Sequence, residues 1–315
     1  MERLTFSGHE TFSCKQFWLY KGYNFVKEGK NFKSPDSVID LGVGKNMVAS
    51  IRFWMKAFNL LDPDEKLTEF ANKIYGSPEN NIKGYDPYLE DIGTEWLLHF
   101  LLVKSMKASI FNLVFTDFRI ERPEFTKTHL KNYLKRRCDE ISPKFYNEST
   151  INKDISVFIR TYLNIKEKKT KIDEDYSTIF QDLNLISFIK TKNFDDDVID
   201  FFKIENQFRK DISHHIFLFS ILDNDSYGKS ININQIFENE SRIFVINKEC
   251  TQNLMHSISS DDNYKDLVSF SETAGTKLLQ FKTKLNKWDA LNNYYKKNIK
   301  ARGEFLIERS EKLFN

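Results

Sequence analysis

Apolar residues recur at helical spacing along most of the chain, and the pattern is most sharply punctuated between residues 34 and 76. Ser34, Pro35 and Asp36 can open a short helix carrying Val38, Ile39 and Leu41. Gly42 and Gly44 interrupt it. The spacing predicts a second helix from Lys45 to about Asn59, with Val48, Ile51, Met55 and Phe58 on its inner side. Short helix, glycine turn and longer helix outline a helix-turn-helix. Asp62 to Glu65 then supply a turn or the tip of a short wing. On that reading Lys45, Asn46, Ser50, Arg52 and Lys56 are the polar groups offered to a DNA backbone or base edge. A purely structural helix pair fits the same spacing. Gly42 to Lys45 is not a phosphate loop, because a Walker loop needs four residues between its glycines and Ser or Thr after the lysine.

Around this stretch the periodicity predicts further helices over 12–26 and 67–74. Residues 76–91 read as loop, with Pro87 restricting Asp86. Tyr85, Asp86, Tyr88, Glu90 and Asp91 there could dock a partner or could simply pack. Residues 94–104 are apolar nearly all round, which predicts a central core helix with His99 as a core histidine. In a second helical unit Thr126 or Thr128 can cap residues 130–138, and Thr150 can cap a helix with Ile151, Ile155, Phe158, Ile159 and Leu163 inward. Lys127, Lys131 and Lys135 recur every fourth residue, and Arg136 adjoins them. This basic stripe is either a second DNA-facing element or a solvated face. Residues 172–270 mix short helical and strand-like runs, with a strand at 267–270. From Leu278 onward the pattern predicts a long basic helix. The fold class read from these elements is mainly α with minor β: helix-turn-helix or winged-helix-like units plus a C-terminal α+β region. The domains expected are 1–122, 123–171 and 172–315.

Charge changes this picture only through its distribution. The net charge is +2, but successive segments ending at residues 60, 125, 172, 270 and 315 carry +4, −5, +7, −9 and +5. Positive segments alternate with negative ones, which predicts a folded dipolar surface. The basic 126–172 segment favours DNA, and the acidic 173–270 region with the 85–91 loop suits a scaffold. Cys14, Cys138 and Cys250 lie far apart, so no zinc ribbon or redox pair is signalled and a reducing cytoplasm is expected. The first residues lack a signal-peptide core, and no apolar run reaches membrane length. His9-Glu10 has no second histidine four residues on, so it is not a zinc-protease motif. His214 and His215 would point to opposite sides of a strand or stand 100° apart on a helix, a poor chelate by themselves either way. Asp195 to Asp197 with Asp200 lack the calcium-loop pattern. No nucleophile triad stands out. The expectation is no catalytic residue, no metal and no cofactor.

Several runs together carry a resemblance: Phe6 to Phe12, Lys21-Gly22-Tyr23, Leu41 to Val48, Ser50 to Trp54, Tyr85 to Asp91 and Trp96 to His99, with a looser match at Phe270 to Gly275. The sequence resembles the prokaryotic family of unknown function 4007, most specifically over residues 6–102. Cys14 and Lys15 depart from a commoner proline and arginine. The resemblance implies an accessory protein of a DNA-modification or phage-defence system, since members accompany genes for sulfur-based DNA modification. Three readings follow. The first is a non-catalytic DNA-binding accessory or regulator with double-stranded DNA as partner and no membrane. The second is a scaffold holding a modifying enzyme or another defence-system protein. The third is a nuclease or sensor of modified DNA.

Overall fold

A computed structural model describes residues 4–77, 82–142, 146–163, 178–192, 198–273 and 275–296. The chain is mainly helical with short strands, and it divides between Glu205 and Asn206 into two units. This boundary replaces the expected ones after 122 and 171. β3 (Glu124–Phe125) is bonded to β5 (Val198–Lys203), which joins the segments on either side of 171, while Tyr162 and Phe158 pack on His99 and Phe111, which joins those on either side of 122. The expected linker at 165–171 and the aspartates at 195–197 lie outside the described residues.

The first unit begins with α1 (Gln16–Lys27), α2 (Ser37–Leu41) and α3 (Lys45–Ala57), followed by α4 (Glu69–Tyr75) and the short strands β1 (Gly76–Ser77) and β2 (Ile82–Lys83). The helix, glycine turn and second helix read from residues 34–59 are present. Leu61 and Leu67 bridge across the turn that follows α3. α1 packs closely on α3 at Gly22, where an added Cβ would lie 2.9 Å from the Met55 side chain and 3.0 Å from Ile51. That approach explains a glycine in the middle of a helix, where it otherwise costs stability. Next to it the buried Tyr23 ring stacks on Tyr75 at 4.7 Å.

α5 (Ile92–Lys104) is the core helix the pattern predicted, starting two residues earlier because Asp91 caps it by accepting from Gly93 N. Every residue from Trp96 to Val103 is buried. His99 Nδ1 lies 2.9 Å from the Tyr162 hydroxyl, and the ring meets Phe115 and Phe180 edge-on. The histidine is thus hydrogen-bonded inside the core, as a buried polar group must be. No single helix among the described residues is long and apolar enough to cross a membrane.

The rest of the first unit runs α6 (Ser109–Leu113), a π-helical turn over Val114–Phe118, α7 (Arg119–Glu121), β3, α8 (Lys127–Asp139), α9 (Glu148–Tyr162), β4 (Ser187–Lys192) and β5. Thr126 caps α8, sharing a reciprocal capping pair with His129. α9 is capped by Asn147, three residues before Thr150. The sheet is antiparallel in the order β3-β5-β4.

The second unit contains α10 (His214–Leu222), β6 (Ser230–Asn232), α11 (Ile233–Glu238), α12 (Glu240–Ile243), α13 (Lys248–Ser260), β7 (Val268–Thr273) and β8 (Thr276–Phe281). Its antiparallel sheet has the order β6-β8-β7. The long basic helix expected from Leu278 is not formed there. Residues 276–281 are the central strand, bonded on both sides, and helix resumes only over 287–296 among the described residues. Gly275, left-handed at φ +77, lies in the turn that folds β8 back onto β7. Both units therefore repeat one order: a helix, a short strand, helices, then a hairpin whose second strand pairs with the short one.

The α5 core sets a first test. Leu101→Ala should cost about 2–5 kcal/mol, because the buried cavity cannot fully collapse. Thermal or urea unfolding of the variant at the wild-type midpoint would contradict this.

Candidate nucleic-acid interface

On α3 the five predicted contact residues separate. Lys45 and Asn46 stand exposed at its first turn, and the helix has no side-chain cap there. Ser50 turns inward and is fully buried, so it has no access to solvent or to a duplex. Its i+3 and i+4 neighbours at Phe53 and Trp54 share the inner side of the helix, where Trp54 is also fully buried. Arg52 and Lys56 are both engaged by one acid. Arg52 Nε donates to the two Glu65 oxygens at 3.0 and 3.1 Å, and Lys56 Nζ lies 2.8 Å from Oε1. Glu65 reaches them from a left-handed position, φ +67, in the turn after α3. The Arg52 hydrogen bond, with help from Lys56, holds its carboxyl down at about 2.

The 85–91 loop is largely internal. Asp86 is buried and accepts from Glu90 N at 3.0 Å and Asp91 N at 2.9 Å, while Asp91 caps α5. These two acids shape the loop and start the core helix. Tyr85 is half-buried. Tyr88 and Glu90 are exposed, and the Tyr88 ring lies 5.3 Å from that of Tyr20.

The basic stripe of α8 is also partly spoken for. Lys131 meets Glu148 at 2.9 Å and Arg136 meets Glu121 at 3.1 Å, both at the surface. Lys127 and Lys135 are exposed, with the Lys135 ammonium 5.8 Å from the centre of the Tyr146 ring.

The Phe6 to Phe12 run has a role that sequence spacing concealed. Asp154, buried on α9, accepts from Ser7 N at 3.0 and 3.1 Å and lies 2.9 Å from His9 Nε2. Thr11 N donates to His9 Nδ1 at 3.2 Å, so the ring proton sits on Nε2 and points at Asp154. His9 also packs against the rings of Phe53 and Trp54. Ser7, Gly8, Glu10 and Thr11 all have positive φ, and a Cβ on Gly8 would meet the Phe53 ring at 2.6 Å. Trp54 Nε1 donates to Phe12 O at 3.1 Å, and Arg160 Nη2 donates to Thr11 O at 2.6 Å. The loop is thereby fastened to both α3 and α9.

Fastening the loop leaves one face of α9 open. Ser149, Asn152, Lys153, Ser156 and Arg160 line a shallow groove of about 550 Å³ together with Thr11 and Glu148. They are spaced three and four apart, so they form a single polar stripe. The corresponding helix of the second unit, α13, buries Cys250, Thr251, Leu254, Met255 and Ile258. Lys248, Gln252, Asn253, His256 and Ser260 lie on its accessible side, with His256 edge-on to Phe270 of β7 at 4.9 Å. Neither face carries a motif in the sequence. Both were present as the polar complement of apolar positions at helical spacing, behind the caps Asn147 and Asn247.

The Glu65 pairing gives a pH test. Its folded-state value lies below the ordinary 4.5, so its stabilisation is complete above about 4.5 and is lost as pH falls through about 2. Glu65→Gln should therefore lower stability by about 1 kcal/mol at neutral pH, after screening at a partly exposed site. The gap to wild type should close toward pH 2. Urea unfolding of both proteins across this range measures it, and a constant gap would contradict the assignment.

Two solved structures share this fold. They are described as "SspB crystal structure" and "Magnesium ion-bound SspB crystal structure". Each is similar to this chain with a TM-score of 0.77 and 23% identity, covering 93% of this chain and 88% of theirs. No curated protein matches. The family model described as "Protein of unknown function (DUF4007)" matches residues 6–295, and the chain belongs to that family.

Proposed function

We propose that this protein is a non-catalytic DNA-binding accessory that engages a duplex through two winged-helix-like units. The observation that carries the reading is the repeated order of elements. A helix, a short strand, two or three helices and a hairpin, with the first strand beside the last, is the connectivity of a winged helix. In such a unit the last helix before the hairpin is the one that enters the major groove. Here that helix is α9 in one unit and α13 in the other, and each exposes a polar stripe. Asn152, Gln252 and Asn253 have the amide chemistry that pairs with adenine edges, while Lys153, Arg160 and Lys248 suit phosphates. The family resemblance adds the DNA-modification and phage-defence setting.

Within this reading Arg52 and Lys56 are secondary, because Glu65 already neutralises part of their charge. Lys45, Asn46, Lys127 and Lys135 remain available as outlying backbone contacts. Fluorescence anisotropy with a labelled duplex, titrated with salt, tests the assignment. Replacing Lys153 and Arg160 together by alanine should weaken binding to every sequence and lower the salt slope by about two. The Arg52→Ala, Lys56→Ala double variant should keep most of the wild-type slope. The reverse pattern would move the contact to α3. A folded wild type that binds no duplex at low salt would favour protein docking through the exposed Tyr88 and Glu90.

A further inference from the structure

The second unit gathers His214, His215 and Asp261 so that one ligand atom from each lies within 4.8 Å of the others. The two histidines open α10, and Asp261 directly follows α13, so folding joins groups nearly fifty residues apart. Both imidazoles direct Nε2 toward the same oxygen. His214 Nε2 lies 2.9 Å from Asp261 Oδ2, and His215 Nε2 lies 3.7 Å from it. Only the first is a hydrogen-bond distance. An ion about 2.0–2.2 Å from each of three such atoms in tetrahedral geometry holds them roughly 3.3–3.6 Å apart, so the 2.9 and 3.7 Å separations lie within about 0.4 Å of that spacing.

The neighbours of these groups fix them in ligating orientation. His215 Nδ1 lies 2.8 Å from the Tyr264 hydroxyl, which accepts from Asn293 Nδ2 at 3.1 Å. Metal-bound histidines characteristically have the far ring nitrogen held in this way. Asp261 Oδ1 accepts from Asn263 N and Nδ2, both at 2.8 Å, so Oδ2 is the oxygen turned to the imidazoles. The His215 side chain is buried, whereas those of His214 and Asp261 are 20% and 14% exposed, leaving one side of the cluster reachable from solvent.

We propose that His214, His215 and Asp261 bind one divalent ion of the zinc class. Two imidazoles and one carboxylate suit zinc, cobalt or nickel and are too rich in nitrogen for magnesium or calcium. Three protein ligands leave a fourth position for water. The ion would tie the first turn of α10 to the end of α13, and the inference does not depend on DNA binding.

The test uses the full chain, stripped with a chelator and titrated with Co2+ as the spectroscopic probe. One equivalent should bind with visible d–d absorption, and Zn2+ should displace it. His214→Ala and Asp261→Asn should each weaken Co2+ binding by at least about tenfold, and Tyr264→Phe by about tenfold. His256→Ala, which changes an exposed histidine outside the cluster, should bind like wild type. Circular dichroism checks that each variant is folded, and His214, which is partly exposed, provides the reading should Asp261→Asn unfold. Absence of a stoichiometric site in wild type, or a site that survives His214→Ala unchanged, would overturn the proposal.

Discussion

A buried carboxyl group on α9 is the constraint around which the first unit is organised. Asp154 has no access to water, and leaving it unsatisfied would cost several kcal/mol. The N-terminal loop supplies its partners through Ser7 N and the His9 ring. To deliver both, the backbone takes positive φ at Ser7, Gly8, Glu10 and Thr11, conformations that side chains with a Cβ adopt only when surroundings enforce them. Those surroundings are Phe53 and Trp54 on α3. One polar contact thus links the start of the chain, α3 and α9, and it fixes which side of α9 remains exposed.

The same economy of position shows in the hairpins. In each unit a strand of only two or three residues precedes the helices and then pairs with the last strand. That pairing closes the loop between distant segments. In the second unit α13 also lies beside the sheet, where His256, at the edge of its polar stripe, meets Phe270 of β7. The rest of that stripe, Lys248, Gln252 and Asn253, stays accessible, which is the arrangement the proposed DNA reading uses.

Much of the helical skeleton was legible in the sequence, because apolar period and capping chemistry are local signals. α3 followed its glycine turn, α5 followed its continuous apolar run, and β7 was visible at Val268 to Phe270. The failures came from contacts that sequence spacing does not encode. Leu278 and Leu279 looked helical, yet hydrogen bonds to β6 and β7 make their segment a central strand. Arg52 and Lys56 looked free until the turn after α3 brought Glu65 over them. His214 and His215 stand together on one helix, and Asp261, which folding brings beside them, follows α13 far along the chain. His9 offered no motif of its own, because its partner lies 145 residues away.

The central claim is that α9 and α13 are the helices that meet a duplex. Lysine acetylation of the full chain, mapped by mass spectrometry with and without a duplex at low salt, tests it most directly. The account predicts protection at Lys153 and Lys248, with no change at Lys104 at the end of the core helix. Protection of Lys45 and Lys56 without Lys153 and Lys248 would contradict it.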